Sequence, residues 1–238
     1  MNGAQAVSLR ILMTLRGDKR TLGLILVVPV VLIYLLSEVF ERPTEVAPVL
    51  LAVFVFMLTY ILTAIGFLRE RQAGTFERVL VSPISRLELV LGYVLGYGLL
   101  ATALSLVVLG ASVHFFELEF EHGVALFFLV EWLGALSALA IGILLSLFAQ
   151  NEFQVMQFIP VVISPQIILG GTFMPVEDLP FALEVLARVM PLTYLIQGMN
   201  YVVLDVGSAR DLWVAVVALL FFTELSAIAA NETLRRVR

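Results

Sequence analysis

The residues best suited to do chemistry in this chain stand together in one polar segment, 69–86, which reads RERQAGTFERVLVSPISR and separates two apolar runs. Around Phe76 the apolar residues fall at helical spacing, with charged residues on the other sides. Thr75 is a suitable N-cap, and Glu77 in the first turn suits the helix dipole. One interpretation is that the arginines only anchor the neighbouring segments at a membrane surface. The other is that an exposed phenylalanine among charges docks into a groove on a soluble partner.

Polar side chains inside the apolar runs are the second group that could do chemistry. Glu131 and Glu224 lie within two such runs, where an ionisable group is costly and tends to be functional. A structural or interfacial position stays open for Glu131, as does a polar pair for Glu224. The candidate residues for a path through the membrane are Thr59, Tyr60, Thr63, Gln157, Gln166 and Glu224. Ordinary hydrogen bonding between helices is the alternative for each of them.

Familiar catalytic and metal-binding patterns are not found in the sequence. It contains neither G-x-S-x-G nor H-E-x-x-H, and its single lysine, Lys19, does not belong to a Walker A loop, G-x-x-x-x-G-K-[ST]. There is no cysteine, and His114 and His122 lack the tight ligand spacing of a metal site. We therefore predict no catalytic residue, no bound metal and no cofactor in this chain.

The elements that must position these groups are membrane helices. The chain has 238 residues, 61% hydrophobic and 14% charged, against about 45–50% and 25% in a soluble domain. Runs such as 46–68 carry no charge and exceed the roughly 20 residues that a spanning helix needs. We predict an all-α integral membrane protein of one domain, 1–238, with six transmembrane helices. The predicted spans are 21–37, 46–68, 89–113, 124–149, 154–173 and 212–231, the fifth broken by Pro160 and Pro165.

The basic residues indicate how these spans are oriented. With the N-terminus inside, all but three of the 14 basic residues fall on the cytoplasmic side, as the positive-inside rule requires. The exceptions are Arg42, Arg188 and Arg210. We therefore predict a multi-pass protein of the cell membrane with both termini and segment 69–86 in the cytoplasm. The formal net charge of −5 argues against nucleic acid as a partner.

Two short segments are predicted to be helices that do not span. Residues 4–16 have the basic, partly amphipathic character of a helix at the inner membrane surface. Residues 179–190 predict a helix at the outer face that dips into the edge of the bilayer, because about a dozen residues are too few to cross it.

The pattern E-R-x-x-G-T-x-E-x-x-x-x-S-P-I-S-R-x-E-L, which begins at Glu70, resembles the signature of ABC type-2 exporter permeases. Segment 164–199 is similar to the fifth span and re-entrant outer helices of that family, and residues 4–16 are similar to its connecting helix. Together these similarities cover most of the chain. The family often has a lysine after the position of Gly92, where this chain has Tyr93.

The resemblance implies an N-terminal amphipathic connecting helix, a cytoplasmic coupling helix between spans two and three, and a re-entrant outer helix between spans five and six. It implies that two permease copies, expected as a homodimer in the lipid bilayer, each dock an ABC ATPase subunit that binds ATP and Mg²⁺. The docking residues implied by the motif are Glu70, Arg71, Thr75, Phe76, Glu77 and Arg78. The expected function is export of an amphipathic small molecule or lipid-linked substrate. A membrane-embedded lipid-modifying enzyme or a secondary transporter is the alternative.

Overall fold

The computed structural model describes residues 3–17, 19–73 and 86–236, and all regular structure within these ranges is helical. The first five helices are α1 (Gly3–Gly17), α2 (Lys19–Val39), α3 (Pro43–Gln72), α4 (Arg86–Phe115) and α5 (Val124–Ser146). After them come α6 (Glu152–Phe158), a π-helical segment (Ile159–Ile163), α7 (Ser164–Leu169), a 3₁₀ turn (Val176–Asp178), α8 (Phe181–Ala187), α9 (Pro191–Leu204) and α10 (Ala209–Arg236).

Five stretches of helix in the described ranges are long and apolar enough to cross a membrane. They are Pro43–Gln72, Glu88–Phe115, Val124–Ser146, Glu152–Leu169 and Ala209–Leu234. Each coincides with one of the predicted spans two to six. The predicted first span falls in α2, whose described apolar part, Val27–Val39, is shorter than a full crossing.

Some helix ends differ from the predicted ones for local reasons. The fourth span ends at Ser146 rather than at 149, because Asn151 already caps the next helix by accepting from the Gln154 backbone N–H at 3.0 Å. The fifth ends at Leu169 rather than at 173. Two residues later Gly171 takes a φ of +99°, a conformation that favours glycine and does not continue the helix. Helical hydrogen bonding also continues past the apolar runs into polar flanks, as in α3.

α5 is the central helix of the bundle and contacts α3, α4, α9 and α10. Glycines on α5 allow two of these close approaches. A Cβ atom on Gly134 would lie 2.4 Å from a methyl carbon of Leu195, and one on Gly142 would lie 2.4 Å from Thr63 Oγ1. Small residues in this role are typical of helix packing inside membranes.

α1 packs against a notch of two glycines on α4. A Cβ atom on Gly92 would lie 2.6 Å from Val7 Cβ, and one on Gly96 would lie 2.9 Å from Ile11 Cβ. Val7 and Ile11 are both buried. The apolar stripe of α1 therefore lies on α4, and both helices run in the same direction over this contact.

α8 and α9 form a tight helical hairpin before the last long helix. Thr193 Oγ1 donates to the carbonyl oxygen of Ala187 at 2.8 Å, and Tyr194 Oη donates to that of Arg188 at 2.7 Å. The predicted helix at 179–190 is thus shorter than expected, because residues 188–190 turn the chain into α9.

Large apolar side chains cover the outer face of α10. Trp213, Val217 and Ile228 are all more than half exposed, although soluble proteins rarely expose a continuous apolar surface. An exposed apolar face of this kind suits contact with lipid hydrocarbon or with another membrane helix.

Candidate functional site

The last turn of α3 reaches across to the turn between α5 and α6. Arg69 Nε donates to Glu152 Oε1 at 2.7 Å, and Gln72 Nε2 donates to the carbonyl oxygen of Gln150 at 2.8 Å. A second Arg69 nitrogen, Nη2, is 3.4 Å from Glu152 Oε2, so the ion pair is bidentate. These bonds fasten the end of one long helix to the start of α6.

Arg71 makes the most buried contact of this group. Its Nη1 donates to the carbonyl oxygen of Ser146 at 2.5 Å, and a second carbonyl, that of Ala149, lies at 3.4 Å. A guanidinium group there also suits the negative end of the α5 helix dipole. We call Arg69, Arg71 and Gln72 the α3 clamp.

Glu70, in the same turn of α3, binds two other elements. Its Oε2 accepts from Arg10 Nη2 at 2.5 Å and from Tyr93 Oη at 2.8 Å, and Arg10 also donates to Tyr93 Oη at 2.9 Å. The three residues come from α1, α3 and α4, and the carboxylate side chain is only 11% exposed. Tyr93, at the position where lysine is common in the similar family, therefore joins a polar cluster that ties α1 and α4 to the end of α3.

Two of the six predicted docking residues fall within the described ranges. Glu70 and Arg71 both make contacts inside the bundle, as above. Thr75, Phe76, Glu77 and Arg78 lie outside the described residues, and their docking role stays a prediction. The sequence alone did not indicate the partners of Glu70 and Arg71, because these partners lie 23 to 78 positions away.

The polar residues predicted on span two are buried among neighbouring helices. Tyr60 Oη donates to the carbonyl oxygen of Val155 in α6 at 3.2 Å. Thr63 Oγ1 donates within its own helix, to the carbonyl oxygen of Thr59 at 2.7 Å. Within one copy of the chain these groups pack α3 against α5 and α6.

The two glutamines of span five have different surroundings. Gln166 is buried; its Nε2 donates to the carbonyl oxygen of Val162 at 3.0 Å, and its Oε1 accepts from the Leu192 backbone N–H at 3.4 Å. It therefore links α7 to α9. Gln157 is exposed on α6, where its amide can meet another molecule.

The two glutamates inside the spans also differ. Glu131 is 0% exposed, and neither of its carboxyl oxygens has a hydrogen bond within the described part of the chain. Glu224 is exposed on the outer face of α10. One is enclosed by the core, and the other faces whatever surrounds the bundle at that depth.

The two histidines occupy separate environments. His122 Nε2 lies 2.8 Å from Asp205 Oδ1, and its ring stacks on Tyr201 with centroids 4.1 Å apart. His114 packs edge-on against the adjacent Phe115. Within the described ranges no group of three or more metal-ligating side chains converges.

In the described part of the chain, five helical stretches of membrane length, one of them the central α5, define a multi-pass α-helical membrane protein. Residues 4–204 match the family described as ABC-2 type transporter. The chain belongs to this family, which confirms the resemblance seen in its motifs.

Individual relatives are similar over much of the chain. It is 27% identical over 191 residues to the probable multidrug ABC transporter permease YbhR of Escherichia coli, covering 80% of this chain and 52% of that protein. It is 25% identical over 192 residues to ABC transporter G family member 20 of Dictyostelium discoideum, covering 78% and 26%. The inner membrane transport permease YhhJ of E. coli is 29% identical over 143 residues, covering 59% and 38%. The chain spans about half the length, or less, of these curated relatives.

Proposed function

We propose that this chain is the membrane permease subunit of an ABC exporter and moves an amphipathic small molecule or a lipid-linked substrate out of the cytoplasm. The observation that carries the proposal is the family match over residues 4–204. Relatives named as multidrug or transport permeases support transport as the activity. The chain itself hydrolyses nothing; a separate ABC ATPase subunit binds ATP and Mg²⁺ and supplies the energy.

The docking element for that ATPase is segment 74–85. We assign the contact to Thr75, Phe76, Glu77 and Arg78, which match the family motif. Glu70 and Arg71 support the docking element from the bundle side, because their side chains are already engaged there. A phenylalanine between charged residues suits a groove on a soluble protein.

The topology that goes with this function has six spans in the cell membrane and both termini in the cytoplasm. The distribution of basic residues supports this orientation. The α8–α9 hairpin is the re-entrant outer element: Gln166 binds it at Leu192, and Gly134 of α5 receives Leu195. α2 supplies the first span.

A complete exporter needs two copies of this chain and two ATPase subunits. The path then runs between the copies. Its candidates on exposed surfaces are Gln157 and Glu224. Thr59, Tyr60, Thr63 and Gln166 are buried within one copy and would meet a substrate only after the bundle rearranges.

Co-purification tests the docking assignment. The tagged chain is expressed together with its ABC ATPase, and the amount of ATPase bound to each permease is measured after purification in detergent. We expect the Phe76→Ala/Glu77→Arg variant to lower ATPase binding by at least about tenfold, because it removes a central aromatic anchor and reverses a charge.

A matched control reverses a glutamate at the other end of the bundle. Glu45 forms an exposed ion pair with Arg42 at 3.1 Å, so Glu45→Arg is expected to leave ATPase binding unchanged. Full ATPase binding by the Phe76→Ala/Glu77→Arg variant would show that the docking assignment is wrong.

A further inference from the structure

We infer that the α3 clamp is the transmission element of the transporter: it carries movement of the docking segment 74–85 to α6, which then pivots at the π-helical segment Ile159–Ile163. This inference rests on the proposed function, because the movement originates in the ATPase. Arg69, Arg71 and Gln72 are positioning residues here, since they act through α6 on the path.

The clamp holds the α5–α6 turn from both sides. Arg71 binds carbonyl oxygens at the C-terminal end of α5, and Arg69 binds Glu152 in the first turn of α6. Cations favour helix C-termini and anions favour helix N-termini. The positive charge of Arg71 and the negative charge of Glu152 therefore each lie at a helix end whose dipole favours them. Gln72 adds a further hydrogen bond, to the carbonyl oxygen of Gln150.

Among the described residues of one copy, few other contacts restrain α6. Only 22% of the residues in Glu152–Leu169 are buried, and Phe153 and Met156 of α6 are exposed at 72% and 42%. One further bond comes from Tyr60 to Val155, and Tyr60 lies on the same α3 helix. α6 is thus attached chiefly to the helix that leads directly into the docking segment.

The π-helical segment separates α6 from the part of span five that is fixed. The Ser164 backbone N–H bonds five residues back, to the Ile159 carbonyl oxygen, and Pro160 within the segment has no N–H to donate. Segments of this kind are frequent at functional sites in helices. Beyond it, Gln166 ties α7 to α9, so α6 can tilt while α7 stays in place.

A second polar group at the end of α3 connects this helix to α1 and α4. Glu70 binds Arg10 and Tyr93, so the clamp and the α1–α4 contact share one helical turn. A shift of segment 74–85 therefore acts on α6 and on α1 together.

A distance measurement tests the transmission. The natural chain has no cysteine, so spin labels attach only at introduced sites. Met156→Cys on α6 and Val217→Cys on α10 place labels on exposed positions. In the complete complex with its ATPase, with labelled chain diluted by unlabelled chain, the distance between labels is compared without nucleotide and with ATP plus vanadate.

The variant Arg69→Glu puts a carboxylate opposite Glu152 and stays clear of the residues assigned to docking. We expect ATPase binding to persist while most of the nucleotide-dependent change in label distance is lost, because the contact that couples α3 to α6 is replaced by a repulsion. The reciprocal exchange Arg69→Glu/Glu152→Arg restores the pair and is expected to recover most of the change. Arg42→Glu, which disrupts the exposed Arg42–Glu45 pair, is the matched control. It is expected to leave the nucleotide-dependent distance change intact.

The outcomes separate the two proposals. A full distance change in Arg69→Glu, or no recovery in the exchanged pair while the ATPase remains bound, overturns the clamp. A natural chain that binds no ATPase overturns the proposed function and the clamp with it. A natural complex that binds and hydrolyses ATP without moving the α6 label overturns the clamp alone.

Discussion

Glu131 is a carboxyl group enclosed in the helical core without a hydrogen bond among the described residues. Burying an unpaired charge at such a position is costly. Its depth was visible in the sequence, whereas its complete burial depends on how α3, α4 and α9 pack around α5. Burial of this kind distinguishes it from Glu224, which also lies within an apolar run but is exposed.

We expect Glu131→Gln to keep or raise the midpoint of thermal unfolding in detergent, because the amide preserves the shape and carries no charge to desolvate. Glu131→Ala leaves a cavity and is expected to reduce the free energy of unfolding by about 2 kcal/mol. This loss would be seen as a lower midpoint of thermal unfolding. A loss in Glu131→Gln as large as in Glu131→Ala would mean that the ionised carboxylate has a partner that stabilises the fold.

Residue-level chemistry at the end of α3 was only partly predictable. The motif marked Glu70 and Arg71 as important, but it suggested contact with a soluble partner. Their observed partners, such as Tyr93 and Ser146, belong to helices that meet α3 only in the folded bundle. Sequence spacing indicates neighbours within one helix and carries no information on such distant pairs.

At the scale of helices, composition predicted most of what is observed. Long charge-free runs lead to spanning helices because backbone groups in hydrocarbon must bond within their own segment. The break in span five was expected from its prolines, and the structure places a π-helical segment there. The ends of helices were less predictable, since caps and left-handed glycines set them locally.

The notch on α4 offers a test of helix packing. We expect Gly92→Ala to reduce the free energy of unfolding by about 1–3 kcal/mol through overpacking, because its new Cβ would lie 2.6 Å from Val7 Cβ. The measurement is a lower midpoint of thermal unfolding. Proteolysis of α1 should speed up in parallel, since α1 loses its close seat on α4.

Gly110 is the matched control on the same helix. Apart from its chain neighbours and its own helix backbone, no atom lies within 4 Å of the position that its Cβ would take. Gly110→Ala is therefore expected to be neutral or slightly stabilising, as alanine favours helix over glycine. Equal effects of the two substitutions would contradict the packing of α1 in this notch.

At the scale of the whole molecule, the sequence indicated a helical membrane protein and its family. The family is confirmed, and the regular structure of the described residues is helical throughout. The arrangement around a central α5 was not predictable, because apolar runs in a membrane protein look alike on every face. Orientation rests on the distribution of charge alone and is open to direct measurement.

Single cysteines test this orientation without background, since the natural chain has none. With a membrane-impermeant maleimide, we expect Glu119→Cys to be labelled in intact cells and Glu77→Cys only after the cells are made permeable. Glu119 is exposed in the folded chain, which makes it a suitable positive control. Labelling of Glu77→Cys in intact cells would show that the predicted orientation is wrong and that residue 77 cannot contact a cytoplasmic ATPase.

The seating of α1 in the glycine notch also has a consequence for how the protein is made. Val7 leaves the ribosome 85 residues before Gly92 (92 minus 7), which at about 5–20 residues per second is a delay of roughly 4–17 s. During that interval the surface of α4 that covers its apolar stripe does not yet exist, and the lipid headgroup layer is the available substitute. A nascent chain arrested before Gly92 is translated should therefore leave α1 open to protease, because α1 reaches its seat only after α4 has been made.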